Sequence, residues 1–273
     1  MIDTVSYVYA VVGASASLSA PPDGLDDRPV ALVRDGSLAA LVSALDGARY
    51  SARELEALTA TVDQLAPSAA AHDRIVTWAS DRTATVPLPL FSVFLGNDRV
   101  QSMLRDRRAE LTQALEAVGR GREYTLRIYR DDEVLSASLP DLDPEFAAKR
   151  AAVHAASPGQ RYLMQRKLDG EQKTALRQVA RDVATRTYNA LRAFSIASVS
   201  EPAPRGAAPN EIPLVLNASF LVAHDAYDAF RAALTELIDQ YGSRGLRFDF
   251  TGPWPAYHFV GAPQPGQEAG SAG

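Results

Sequence analysis

The chain contains no cysteine among its 273 residues. That excludes a disulfide framework, a thiolate metal site and a cysteine nucleophile. Lysine is scarce: Lys149, Lys167 and Lys173 are the only lysines among 28 basic residues. With alanine abundant, this marks a compositional bias toward Arg and Ala, so arginine alone says little about phosphate recognition. No stretch reaches the ~18 uninterrupted apolar residues of a spanning helix, and Met1–Val12 has no basic lead before its short apolar run. Neither membrane insertion nor a signal peptide is expected, and the cytoplasm is the expected compartment. The net charge of -5 and pI near 5.4 disfavour nucleic acid as a partner. Phosphate-cradling and nucleophile-elbow motifs are missing. The histidines, His72, His154, His224 and His258, are far apart and make no H-x-x-x-H pair. The sequence therefore predicts no catalytic residue, no cofactor and no metal.

What is present predicts an α+β protein of two domains. Residues 1–140 read as an N-terminal ferredoxin-like domain, an elaborated split βαβ sheet with helices. Val5–Val12 is β-branched and aromatic, as a buried strand is, and an apolar run follows at 29–33. Ser37 is read as the cap of a short helix through Leu45. Ser51-Ala52-Arg53-Glu54 reads as a capping box ahead of a stripe formed by Leu55, Leu58, Val62 and Leu65, with Pro67 ending that helix. A second helical piece covers 72–79, with His72 read as a helix-start or surface residue. Thr85–Leu95 is extended but carries Pro87 and Pro89, so it is an edge or irregular strand. Asn97 is read as the cap of a long helix ended by Gly119 and Gly121. Glu123–Tyr129 alternates and is taken as the closing strand of this first sheet.

Residues 141–260 read as a C-terminal α+β domain. Asp131-Asp132-Glu133 is taken as a solvated turn, and Pro144 opens a helix after Asp143. A long helix covers about 160–194, with Gly170 its weak point, and would run roughly 50 Å at 1.5 Å per residue. Strands are predicted at 196–199, 214–222 and 246–251, with Asp225 capping a helix between the last two. Residues 202–209 read as a mobile loop and 261–273 as a disordered tail.

Two segments are candidates for holding a partner. On the long helix eight basic residues face three acidic ones, and Lys173, Arg177 and Arg181 form a stripe at spacing four. That stripe suits an acidic protein surface or, less well, a nucleic-acid backbone; the plainer reading is a solvated face tied by Asp169–Lys173 and Asp182–Arg186 pairs. At the end of the last strand, Trp254, Tyr257 and Phe259 sit on a chain stiffened by Pro253 and Pro255. They either seal their own domain or form a docking surface, since Trp and Tyr are favoured interface anchors.

Several segments, in order, are similar to the gas vesicle GvpF/GvpL family. They are Tyr7-Val8-Tyr9, His72 before Val86–Pro89, Gly159–Leu163, Leu216–Ala218, and Thr251-Gly252-Pro253-Trp254-Pro255, the last the most specific. The chain departs from the pattern at Leu90-Phe91-Ser92, where the family has Arg-Phe-Gly, and at Pro255-Ala256-Tyr257, where it has Pro-Pro-Tyr. The resemblance implies a non-enzymatic accessory or minor structural protein of gas vesicle formation. It implies binding to the hydrophobic major shell protein and to other accessory proteins, and a location at the gas vesicle. A small-molecule sensor built on ferredoxin-like domains, or a hydrolase with dispersed carboxylates, are the alternatives.

Overall fold

Eight consecutive buried residues, Val5–Val12, lie in strand β1 (Thr4–Gly13). A strand buried on both faces belongs in the middle of a sheet, and β1 is indeed paired on both sides. In this computed structural model, which describes residues 4–202 and 212–259, it runs antiparallel to β3 (Leu38–Asp46) on one side. On the other it meets two short strands, β4 (Thr85–Pro87) and β5 (Val93–Phe94). Strand β2 (Ala31–Asp35) forms the edge beyond β3, giving the order β2-β3-β1-β4 with β5 also on β1.

The helix expected at 37–45 is thus strand β3. Its Leu and Ala residues favour helix locally, but Gly36 at φ 58 turns the chain back and sets a hairpin with β2. Pairing on both sides and burial of Leu38–Ser43 then override the local preference. Two helices follow, α1 (Ala52–Thr59) and α2 (Val62–Ser80). The Ser51 side chain makes no capping bond to α1. The break falls at Ala60–Thr61, where Thr61 caps α2 through the Gln64 N–H. Pro67 lies inside α2 rather than ending it, and Val62 is 79% exposed instead of joining an apolar stripe. The extended stretch after α2 divides as its prolines require, with β4 and β5 separated by Leu88–Ser92. Asn97 is the first residue of α3 (Asn97–Asp106), behind Gly96 at φ 89, and its Oδ1 accepts from the Ser6 hydroxyl. Arg107 separates α3 from α4 (Arg108–Gly119).

Strand β6 (Gly121–Arg130) belongs to the second sheet, not the first. Asp131, read from sequence as part of a turn, caps α5 (Asp132–Leu142) by accepting from the Glu133 and Val134 amides. Asp143 does the same for α6 (Pro144–Ala155). Helix α7 (Pro158–Arg192) runs unbroken through Gly170. The sheet is completed by β7 (Ala197–Glu201), β8 (Leu214–Ala223) and β9 (Leu246–Trp254), in the order β7-β8-β6-β9. Helix α8 (Tyr227–Tyr241) joins β8 to β9; Ala226, not Asp225, precedes its first turn, and no side chain caps it. The loop and the tail expected at 202–209 and 261–273 fall, apart from Pro202, outside the described residues.

The fold is α+β with two antiparallel sheets. Numbered from the first strand of each sheet, both have the order 2-3-1-4, the split βαβ arrangement. In the second sheet both crossovers are helical, α5–α7 and α8. In the first, the crossover from β1 to β2 is a loop with one short 3₁₀ turn at Leu25–Asp27. The described residues form two compact units, one of residues 4–123 with 253–259 and one of residues 124–202 with 212–252. The core of the first gathers β1 and β3 residues with Ile75, Val76 and Ala79 of α2. The core of the second gathers β6 and β8 with one face of α7, and an aromatic stack joins Tyr124 to Tyr227 and Phe250.

Candidate partner-binding surfaces

The three aromatic residues proposed from sequence lie in the first unit or lead into it. Pro255 and Ala256 are buried. Tyr257 is 38% exposed and its hydroxyl donates to Asp73 Oδ1 at 3.1 Å. Burial and the Asp73 carboxylate raise its pKa, so it stays a donor. His258 gives both its backbone N–H (3.2 Å) and Nδ1 (2.5 Å) to the carboxylate of Glu123, which is 1% exposed. Phe259 is half-buried. Trp254, at 46%, is the most exposed of the three, and Tyr257 has its hydroxyl engaged by Asp73. Most of the segment therefore fastens itself to the first unit, and Trp254 alone keeps the character of an interface anchor.

Beneath Asp73 lies a hydrogen-bonded cluster that sequence reading missed. His72 is buried at 3% exposure, not a surface residue. Its Nδ1 lies 2.7 Å from the Tyr7 hydroxyl. That hydroxyl also accepts from the Phe91 N–H, and it donates to Nδ1 in the tautomer that carries the ring proton on Nε2. Phe91 is held at φ 63, a conformation non-glycine residues adopt at a cost, and the bond to Tyr7 helps fix it. Burial lowers the His72 pKa to about 4, opposed by the Leu88 backbone and Asp73, while Nε2 itself has no partner in normal hydrogen-bond geometry. Tyr9 donates to Ser43 and accepts from the Leu25 N–H. Burial raises the pKa of Tyr7, Tyr9 and Tyr50. Every member is thus neutral near pH 7, and the cluster works as an internal fastening. The available signal was Tyr7 and Tyr9 at spacing two in a largely apolar strand.

In the second unit, α7 carries the basic stripe. Lys173, Arg177 and Arg181 are all exposed. The expected pairs do not form, because Asp169 accepts from Gln165 and Asp182 from Gln178. Among the described residues the three cations have no ion pair. The first ten residues of the helix, 158–167, are exposed, and Leu168 is the first to enter the core. Tyr162 and Leu163 are 67% and 68% exposed. Between α6 and α7 an open groove of about 260 Å³ is lined by Ala152, Val153, Met164 and Leu168, with lysines at its rim. Lys149 there bridges Glu145 and Glu171.

The family model of the gas vesicle synthesis proteins GvpL/GvpF matches residues 5–261. The chain belongs to this family. Among GvpL/GvpF relatives, gas vesicle protein L of Streptomyces sp. is 28% identical over 262 residues, covering 95% of this chain and 94% of that protein. Gas vesicle protein F of Haloferax mediterranei is 47% identical over only 47 residues, 17% of this chain and 22% of its own length. The crystal structure of GvpF from Anabaena sp. matches with a TM-score of 0.69 at 15% identity, covering 96% of this chain and all of that one (100%). GvpF from Microcystis aeruginosa matches at 0.62 and 15%, covering 94% and 98%. At that identity the two structures establish the fold. The segments that resemble the GvpL/GvpF pattern fall in different settings: Tyr7, Tyr9 and His72 meet in the buried cluster, whereas Gly159–Leu163 is the exposed start of α7.

Proposed function

We propose that this protein is a non-enzymatic accessory or minor structural component of gas vesicle formation that binds unassembled shell subunits and other accessory proteins. Membership in a gas vesicle synthesis family over residues 5–261 is the observation that carries this reading. A shell subunit with a large apolar face aggregates unless a soluble surface covers it before polymerisation. Trp254, exposed at the end of β9, has the right chemistry for such a contact. The proposed work takes place at the nascent vesicle, in the cytoplasm.

Co-expression with the shell protein tests this. The expected result is shell protein retained in the supernatant and co-purifying with the tagged chain. If the two never co-purify at any salt concentration and the shell protein pellets as it does alone, the reading fails.

A further inference from the structure

Leu163, Arg166, Gly170, Lys173 and Arg177 follow one another along α7 at spacings of three, four, three and four, which keeps them along one side of the helix. Tyr162 and Arg181 extend that side at its two ends. All seven are exposed. From Leu163 to Arg181 the face runs roughly 27 Å at 1.5 Å per residue. Its four cations, Arg166, Lys173, Arg177 and Arg181, have no ion pair among the described residues. Asp169, the acidic residue nearest this side, is engaged by Gln165.

Gly170 is the second clue. A glycine inside a helix costs about 0.5–1 kcal/mol relative to alanine. A Cβ placed there would meet nothing within 4 Å, so packing within the chain does not require glycine. At the centre of an exposed side, it lets the backbone of a second helix approach closely.

We propose that this side of α7 docks an acidic amphipathic helix of a partner protein. The partner's apolar stripe covers Tyr162 and Leu163 and crosses at Gly170, and its carboxylates pair with the four cations. Two features favour a protein over a nucleic acid. The apolar end has no counterpart in a phosphate backbone, and the whole chain carries a net charge of -5, which repels a polyanion at long range. The inference rests on the reading that this protein acts by holding other proteins, and it names a partner chemistry distinct from the apolar shell subunit.

The test uses the full chain and a labelled synthetic helix of about 20 residues, long enough to span the face, with leucine at three-four spacing and glutamate beside it. Binding is read by fluorescence anisotropy. The expected result is saturable binding that weakens at least about tenfold in K173E/R177E/R181E, and likewise between about 50 and 300 mM salt as screening grows. Gly170→Gln is expected to weaken binding about fivefold or more without lowering the melting temperature, which separates docking from folding. No binding, equal binding by the triple variant, or equal binding of a glutamine-for-glutamate peptide would overturn the proposal. So would an oligonucleotide that binds more tightly than the peptide and is lost in the same variant. The assay contains no shell protein, so failed co-purification and failed peptide binding are separable outcomes.

Discussion

At the scale of single residues, the informative group is His72. Its folded pKa, about 4, lies below the ordinary 6.5, so the unfolded chain binds the proton more readily. The stabilisation is therefore complete above pH 6.5 and is lost as pH falls toward 4. Between pH 7.5 and 5 the loss is about 2 kcal/mol by linkage. Chemical denaturation at several pH values should show it. In His72→Gln, whose amide oxygen can still accept from Tyr7, the dependence in that window should flatten; an unchanged slope would mean that another group titrates. Periodicity placed His72 on a helix but not in the core, because its burial depends on Tyr7, which is 65 positions away.

Among elements, the junctions repay attention. Gly245, between α8 and β9, has φ +92, and a Cβ there would stand 2.4 Å from the Leu135 backbone nitrogen. Its carbonyl also accepts from the Asp131 N–H at 2.8 Å, where α5 begins. Gly245→Ala combines backbone strain with a clash against main chain that cannot give way. It is expected to destabilise the second unit by about 3 kcal/mol or more, read as a lower urea midpoint; a change under about 0.5 kcal/mol would contradict this. Element identity was legible where pattern and context agree, as in β1, α7 and β8. It failed for β3, whose Leu-Ala-Ala-Leu run favours helix until strands pair on both sides. It failed for α5 because the cap at Asp131, with Asp132 and Glu133 in the first turn, was taken for a loop.

For the whole molecule, the return of the chain to the first unit at 253–259 makes its own prediction. A chain ending at Gly252 loses the bonds from Tyr257 to Asp73 and from His258 to Glu123. The Glu123 carboxylate is then left without them, a loss costing on the order of 3 kcal/mol for a buried charge. Hydrogen exchange should show faster exchange in α2 of the truncated chain while α8 is unaffected. Equal protection in both chains would show that the segment contributes nothing to the first unit.

By itself the sequence determined the class of the fold, the likeness to gas vesicle proteins, and the two partner-binding candidates, because composition, periodicity and short motifs are local. Only tertiary structure decided that β6 joins the second sheet, that both sheets share one strand order, and that Tyr257 and His258 fasten to Asp73 and Glu123. It also decided that, among the described residues, Arg166, Lys173, Arg177 and Arg181 of α7 have no ion pair while Gln165 and Gln178 donate to Asp169 and Asp182. Those outcomes follow from strand pairing and side-chain geometry between residues far apart in the chain, which no local window contains.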